Sequence, residues 1–227
     1  MKSRRLGILG GTFDPIHVGH LDAADAASAA LALDEIVLIP AHDQPLRVSE
    51  PRATVYQRFA LAALAIEDRP DWHISDMELV RQGRSYTEET LRTLHDSGWR
   101  ASQLFFILGT DAFAGIAAWH GYPGVLDLAH FVVIARPGVA IDEAARRVPE
   151  LCSRTSPPPE RAESLDGPTQ IFLVHAHTRD VSSTMIRERL ASGLPIDDLV
   201  PARVARHIQK HHLYGAVDNL HGEDERL

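Results

Sequence analysis

Short apolar runs that alternate with helical segments constrain the fold of this chain more than any other feature. Within residues 6–40, the run LGILGG is followed by the alanine-rich segment HLDAADAASAALAL and then by a second run, EIVLIP. A strand, a helix and a strand in so short a span are typical of a right-handed βαβ unit with parallel strands. Later apolar runs have the sequences QLFFILG, HFVVIARPG and QIFLVHA. The pattern predicts an α/β fold: a Rossmann-like parallel sheet with helices on both faces.

The segments between these runs predict the remaining helices. They have the sequences ATVYQRFALAALAIED, SYTEETLRTLHDSG, STMIRERLASG and PARVARHIQKHHLYG. In the second of them, Ser85 or Thr87 is suited to cap the helix and Gly98 to end it. The segment WHISDMELVRQG alternates, which predicts a strand pair or a strand with a loop.

The length and composition of the chain favour one sizeable domain. It has 227 residues, of which 44% are hydrophobic. We expect the domain to span residues 1–215, with a surface insertion at about 140–168. The insertion begins as a short amphipathic helix and ends in a Pro, Ser and Glu-rich stretch, which predicts a flexible segment. Residues 216–227 are polar and are predicted to be disordered.

The composition also argues against several classes of function. A net charge of −8 disfavours broad nucleic-acid binding, which usually requires a basic face. No apolar run has membrane-spanning length and the N-terminus lacks signal-peptide features, so we expect a cytoplasmic protein with no membrane contact. The only cysteine, Cys152, cannot form an internal disulfide or a thiolate metal cluster.

The loop after the first apolar run has the features of a phosphate site. Gly10 and Gly11 end the predicted strand, where glycine lets the backbone approach a ligand closely. His17 and His20 then fall in the first turn of the predicted helix, whose N–H groups and dipole favour anions. Both histidines could instead only cap or pack the helix, but their position directly after strand–Gly–Gly favours a functional role. Asp14 is explained by turn formation.

Two common nucleotide-binding motifs are absent from the chain. It contains no G-x-x-x-x-G-K-[ST] segment, which excludes a P-loop NTPase. The segment GILGG does not fit G-x-G-x-x-G, so a dinucleotide-binding oxidoreductase is disfavoured.

The motif GGTFDPIHVGH resembles the signature of the H-x-G-H nucleotidyltransferases, and VSSTMIR at 181–187 resembles their second signature. Class I aminoacyl-tRNA synthetases share the histidine motif, but their partner motif is rich in lysine. The chain has no lysine between Lys2 and Lys210, which excludes that partner motif.

Within this superfamily, the chain most closely resembles the bacterial nicotinate-mononucleotide adenylyltransferases. The elements that carry this closer resemblance are SYTEETL, ILGTDAF with AAWHGY, and VIARPG. The phosphopantetheine adenylyltransferases resemble only the two end motifs.

The resemblance implies adenylyl transfer from ATP to nicotinate mononucleotide, giving nicotinic acid adenine dinucleotide and pyrophosphate. Mg²⁺ is expected on the ATP phosphates. Catalysis would then consist of positioning and charge stabilisation, with no covalent enzyme intermediate. Two alternatives remain: another acceptor, such as nicotinamide mononucleotide or phosphopantetheine, or a nucleotide-binding regulatory domain without catalysis.

The resemblance also implies roles for individual residues in binding ATP. His17, His20 and Arg187 would act on the ATP phosphates, with His20 nearest the reacting one. Asp111 would lie on the metal side of the cleft as a possible ligand. The other residues expected to bind ATP are Gly10, Gly11, Thr12, Phe13, Gly109, Arg136, Ser182, Ser183 and Thr184.

The mononucleotide site is implied in the same way. Tyr86, Thr87 and Trp119 would surround the pyridine ring, with Trp119 stacked on it and backbone N–H groups near Thr87 receiving the carboxylate. The family usually carries P-P-H-[KR] after the second strand, but residues 44–47 here read QPLR. Arg47 keeps the cation that would bind the mononucleotide phosphate, and the histidine is lost. A further cluster, His207, His211 and His212, is interpreted as a solvated helix end rather than a metal site.

Overall fold

The computed structural model describes residues 4–46, 49–135, 148–159 and 167–216. These residues form a seven-stranded sheet in the order β3-β2-β1-β4-β5-β7-β6, with every pairing parallel. The strands are β1 (Leu6–Gly11), β2 (Glu35–Pro40), β3 (Trp72–Ile74), β4 (Leu104–Gly109), β5 (His130–Ala135), β6 (Thr155–Ser156) and β7 (Ile171–His175). The predicted α/β fold with a parallel sheet is confirmed.

Helices cover both faces of the sheet, as the sequence predicted. The α-helices are α1 (Val18–Leu31), α2 (Val55–Ala65), α3 (Met77–Arg81), α4 (Thr87–Asp96), α5 (Thr110–Ala114), α6 (Ser183–Ala191) and α7 (Ala202–Lys210). One apolar cluster joins α1, α2, α6 and α7 to one face of the sheet. A second cluster joins α4 and α5 to the opposite face. Because both faces are covered, the central strands are apolar throughout rather than alternating.

The order of the strands locates a crevice beside β1. From β1 the chain adds β2 and β3 on one side, and then crosses to place β4, β5 and β7 on the other. The connection after β1 runs to one side of the sheet and the connection after β4 runs to the other. A crevice therefore opens at the carboxyl ends of β1 and β4. Ligands of open α/β sheets bind at such a switch point.

Two local predictions differ from the structure. The segment WHISDMELVRQG forms β3 followed by the short helix α3, and not a strand pair or a strand with a loop. Neither Ser85 nor Thr87 caps α4, because Tyr86 holds the N-cap position and makes no side-chain cap bond. Ser85 is used elsewhere: its Oγ accepts a hydrogen bond from the His42 backbone N–H at 2.9 Å.

The predicted insertion at 140–168 is described only in part. Residues 149–154 form a 3-10 helix, and Thr155–Ser156 pairs with β7 as the edge strand β6. Val148 and Leu151, which precede the Pro, Ser and Glu-rich stretch that was predicted to be flexible, are buried against the sheet. The amphipathic helix predicted at the start of the insertion, and all of the predicted tail except the buried Ala216, lie outside the described residues. No helix in the described ranges is long and apolar enough to cross a membrane.

Arg58 of α2 is buried, with 1% of its surface exposed, and it joins the loops that follow β1 and β2. Its Nη1 donates to the Thr12 carbonyl at 2.6 Å and to the Ala41 carbonyl at 2.8 Å. Its Nη2 donates to the His42 carbonyl at 3.2 Å. One guanidinium therefore satisfies backbone acceptors in both loops at the edge of the crevice.

We predict that Arg58→Met lowers the free energy of unfolding by about 2–4 kcal/mol, because it leaves buried carbonyls without a donor. Urea denaturation measures the loss. The matched control is Arg203→Met, because Arg203 is partly exposed and pairs with Glu67 and Asp68 at the surface. The control should cost less than about 1 kcal/mol. Equal losses of unfolding free energy in the two variants would show that the buried hydrogen bonds of Arg58 stabilise the fold no more than the surface ion pairs of Arg203.

Candidate active site

The crevice at the carboxyl ends of β1 and β4 contains a cavity of about 630 Å³. On one side it is lined by the end of β1, the start of α1 and the ends of β4 and β5, which we call the α1 half. On the other side it is lined by the loop after β2, by α3, and by the start of α4 with the segment after α5, which we call the α4 half. The sequence-predicted site residues that line the cavity are Gly10, Gly11, His17, His20, Tyr86, Thr87, Gly109, Asp111 and Trp119.

The glycine turn at the end of β1 has little room for a side chain. A Cβ on Gly11 would lie 2.9 Å from the Phe13 ring, closer than real contacts allow. Phe13 is buried and has a φ of 51°, in the left-handed region that non-glycine residues rarely adopt. Thr12 points its hydroxyl to Gln44 of the neighbouring loop. Gly11 therefore lines the cavity, while Thr12 and Phe13 lie outside the cavity lining and pack around the turn.

The two histidines meet at the start of α1. His17 is the N-cap residue, and its ring stacks on that of His20 with centroids 3.7 Å apart. The His17 backbone N–H donates to His20 Nδ1 at 3.2 Å. When the His20 ring is neutral, this bond places its remaining proton on Nε2, which makes Nε2 a donor. A Cβ on Gly19 would approach His17 Nδ1 at 3.2 Å, so the glycine leaves space for the His17 ring.

Asp14, which the sequence explained by turn formation alone, is the buried anchor of this loop. Its carboxylate is 1% exposed and accepts from the Arg52 and Ala53 backbone N–H groups, each at 3.0 Å. Burial and this neighbouring carboxylate raise the pKa of the Tyr214 hydroxyl, which packs near the C-terminus. No spacing rule in the sequence indicates these partners, because they lie far along the chain.

Arg187, expected on the ATP phosphates, lies against Asp14 rather than in the lining of the cavity. Its Nη1 donates to the Asp14 backbone carbonyl at 2.7 Å and lies 3.6 Å from the carboxylate. Its Nη2 donates to Thr184 Oγ1 at 3.0 Å. The guanidinium thus ties the start of α6 to the loop after β1.

The serine pair at the start of α6 is placed in the same way. Ser182 Oγ accepts from the Met185 backbone N–H at 3.1 Å and caps the helix. The Ser183 hydroxyl donates to the Pro15 carbonyl at 2.9 Å. Neither these serines nor Thr184 lines the cavity, and from the segment between β7 and α6 only Thr178 does so. The second signature therefore buttresses the first loop in this structure.

The possible metal ligands are few in the part of the chain that the structure describes. Asp111 lines the cavity after the end of β4 and is exposed. No group of three His, Cys, Asp or Glu side chains with metal-site geometry occurs among the described residues, and this includes the cluster near the end of α7. There the His207 and His211 rings stack with centroids 4.3 Å apart. Burial and the neighbouring cations lower the pKa of His207.

Aromatic side chains border the α4 half. The Tyr86 ring lies 4.4 Å from the His120 ring, measured between centroids. Trp119 is partly buried and packs its edge against Phe106 with centroids 5.9 Å apart. Thr87 is the first residue of α4, so its backbone N–H is one of the free donors at a helix start.

The loop after β2 lies directly beside the start of α4. The Ser85 backbone N–H donates to the Asp43 carbonyl at 2.7 Å, and Gln44, Pro45 and Leu46 line the cavity. The structure thus brings together two segments that the sequence assigned to one ligand. Arg47 of this loop, and Arg136 after β5, lie outside the described residues.

Sequence reasoning missed two polar residues of the α4 half. Glu78 and Thr90 line the cavity, and the Thr90 hydroxyl donates to Glu78 Oε1. Burial raises the pKa of the Glu78 carboxyl. The sequence did not indicate Glu78, because residues 77–81 were not expected to form a helix. In the structure they form α3, and Glu78 is buried on it.

Comparison with known proteins finds relatives in sequence and, separately, solved structures that share the fold. The family model described as cytidylyltransferase-like matches residues 8–189. A probable nicotinate-nucleotide adenylyltransferase of Roseiflexus sp. strain RS-1 is 42% identical over 94% of this chain and 100% of its own length. A relative of the same name from Herpetosiphon aurantiacus is 38% identical over 93% of this chain and 98% of its own.

Solved structures share the fold. Plasmodium falciparum nicotinic acid mononucleotide adenylyltransferase complexed with NaAD superposes with a TM-score of 0.68 at 18% identity, covering 93% of this chain and 97% of that one. The similarity in sequence to the curated relatives spans nearly the whole chain. The chain therefore belongs to the cytidylyltransferase-like family and, within it, to the nicotinate-nucleotide adenylyltransferases.

Proposed function

We propose that this protein transfers the adenylyl group of ATP to nicotinate mononucleotide, giving nicotinic acid adenine dinucleotide and pyrophosphate. The observation that carries the proposal is one continuous cavity that runs from the His17–His20 pair to the Tyr86 and Trp119 side chains. Relatives that match nearly the full chain bear the corresponding name. The proposal places the protein in NAD biosynthesis, and a cytoplasmic location remains a prediction from the sequence.

ATP is proposed to occupy the α1 half. A phosphate oxygen of the mononucleotide would form a bond to the α-phosphorus of ATP, while the bond from that phosphorus to the pyrophosphate oxygen breaks in line. The His20 Nε2–H and the His17 ring would donate to phosphate oxygens on which negative charge grows. Gly10, Gly11 and Gly109 leave room for the nucleotide to lie against the strand ends.

Arg187 is proposed to combine two tasks. A guanidinium has more N–H donors than the two hydrogen bonds to Asp14 and Thr184 consume. It could therefore grip a β- or γ-phosphate without releasing the first loop. The N-terminus of α6, with Ser182 to Thr184, would add a positive dipole end on the same side. Arg136 is proposed to contact the nucleotide as well.

Mg²⁺ is the expected cation, and the side chains present fit that expectation. Mg²⁺ prefers oxygen ligands and is usually held by one or two carboxylates plus substrate phosphates. Asp111 offers one carboxylate at the cavity, and the described residues contain no larger cluster of ligands, as suits an ion held mainly by the nucleotide. When bound, the ion would neutralise part of the triphosphate charge.

The α4 half is proposed to hold nicotinate mononucleotide. Trp119 and Tyr86 offer aromatic faces for the pyridine ring. The backbone N–H of Thr87 at the start of α4 suits the carboxylate of the acid. Two carboxylates in the first turn of α4 would oppose this anion, but Glu88 pairs with Arg92 and His120, and Glu89 pairs with Arg81. Arg47 would bind the mononucleotide phosphate.

A coupled pyrophosphate assay that compares the acid and amide mononucleotides tests the acceptor. We predict a kcat/KM at least about 10-fold higher for nicotinate mononucleotide, which corresponds to about one charge-assisted hydrogen bond gained by the carboxylate. Phosphopantetheine should give no pyrophosphate above background. Equal or better turnover of the amide would contradict the acid-specific assignment.

A substitution of His20 tests the nucleotide half. We predict that His20→Ala lowers kcat by at least about 100-fold, the scale of losing one transition-state donor, while the KM for the mononucleotide changes little. The matched control is His211→Ala at the exposed end of α7, which should keep kcat within about 2-fold of wild type. An unchanged kcat in His20→Ala would remove His20 from the mechanism. ATP bound tightly by the wild type without turnover of any acceptor would instead favour a regulatory nucleotide-binding domain.

A further inference from the structure

Glu78 is a buried carboxyl that the proposed mechanism leaves unused. It lies on α3, is 7% exposed, and lines the cavity in the α4 half with Ser85 and Thr90. A carboxyl in such a place costs folding free energy unless its oxygens accept hydrogen bonds.

Two hydroxyl groups from different segments converge on this carboxyl. The Thr90 hydroxyl of α4 donates to Glu78 Oε1. The Ser85 side chain lies near the same carboxyl and favours its ionised form. Ser85 Oγ in turn accepts from the His42 backbone N–H at 2.9 Å. Contacts thus connect the loop after β2, through Ser85, with the carboxyl on α3, and the hydrogen bond from Thr90 connects that carboxyl with α4.

Ser85 and Thr90 flank the residues proposed to hold the acceptor. Tyr86 and Thr87 lie between them in the sequence and line the same cavity. The Thr90 backbone N–H donates to the Tyr86 carbonyl at 3.2 Å, which fixes the first turn of α4. Because Glu78 bonds to Thr90 and interacts with Ser85, it fixes the direction of this short segment relative to the loop after β2.

The charged groups around Glu78 act in opposite directions. Arg81, on the same helix, favours the ionised carboxylate, whereas Glu89 of α4 disfavours it. From β2, the buried neighbours in this part of the core are the apolar Val37 and Ile39. The loop after β2 contributes His42 and Asp43, which reach the site through their backbone contacts with Ser85. The balance leaves burial as the largest influence, and burial raises the pKa of Glu78.

We propose that Glu78 is a positioning residue whose ionised carboxylate holds residues 85–90, the acceptor-binding wall, in place. Acceptor binding then depends on the charge of Glu78, while ATP binding does not. This inference rests on the proposed function, because it concerns the site of the acceptor. Hydroxyl groups donate more strongly to a carboxylate than to a neutral carboxyl or amide. Protonation of Glu78 on acidification loosens the wall, and a higher pH restores it.

Glu78→Gln is the informative variant, because glutamine has the same shape and keeps one acceptor oxygen but carries no charge. At pH 8 we expect the KM for nicotinate mononucleotide to be about 5-fold above that of wild type, with the KM for ATP within about 2-fold. The ratio of the two mononucleotide KM values falls as the pH is lowered towards 5, because protonation of the wild-type carboxyl removes the difference in charge between the two proteins. A ratio taken at each pH cancels the titration of the substrates themselves.

The matched control is Glu67→Gln, which removes an exposed carboxylate that pairs with Arg203 at the surface and does not line the cavity. Its mononucleotide KM should stay within about 2-fold of wild type at every pH. A Glu78→Gln ratio that is independent of pH, or an equal rise in the KM for ATP, would overturn the inference. Absence of turnover in the wild-type protein would overturn the proposed function itself. It is therefore distinguishable from a failure of the Glu78 inference, which appears only in the KM values of the variant.

Thermal unfolding provides a second readout that does not need substrate. A carboxyl whose folded pKa is raised stabilises the fold at low pH, and this stabilisation is lost as the pH rises through that pKa. Glutamine avoids this loss, so the unfolding midpoint of Glu78→Gln relative to wild type should rise between pH 5 and pH 8. If Glu78 has a positioning role, Glu78→Gln at pH 8 gains stability relative to wild type and binds the acceptor more weakly. If its role is purely structural, the stability of the variant and its acceptor binding both decrease. A midpoint difference that falls as the pH rises would contradict the inference.

Discussion

The buried guanidinium of Arg58 is the interaction on which the arrangement of the site depends. Parallel strands present their carboxyl ends to the same edge of the sheet, but the loops that leave them do not pair with one another by default. Arg58 lies beneath the loops after β1 and β2 and donates to carbonyls in both. Without it, those carbonyls would be buried without donors, and the two loops would lose the charged group that contacts both of them.

Asp14 plays the complementary role on the other side of the first loop. It accepts from the backbone that leads into α2, and it engages Arg187 at the start of α6. The motifs GGTFDPIHVGH and VSSTMIR are therefore joined by direct contact, although 173 positions separate Asp14 from Arg187. The histidine pair is held between these anchors, at the mouth of the cavity. The loop geometry, rather than the histidines alone, determines what they can reach.

Much of this architecture was predictable from local patterns. The apolar runs predicted the five longer strands, and the Gly-Gly turn with H-x-G-H predicted residues that line the cavity, because both signals lie within short stretches of chain. The sequence predicted a strand where β3 lies, but the helix α3 and the edge strand β6 were missed, since they span only a few residues and carry little periodicity.

The buried polar residues were missed for a different reason. Arg58, Asp14 and Glu78 find their partners across the fold, so nothing in their immediate sequence distinguishes them from surface residues. Arg187, in contrast, was indicated by a motif. The resemblance implied that it contacts a phosphate, and the structure adds a contact with the first loop that the motif does not indicate.

The central claim is that the loop anchored by Arg58 and Asp14 presents His17 and His20 to one ATP molecule. The most direct measurement is NMR of the imidazole groups during titration with ATP, with signals assigned by His17→Gln and His20→Gln. The account predicts that both signals shift together and saturate at one ATP per chain. Signals that stay in place while ATP saturates the protein would contradict it.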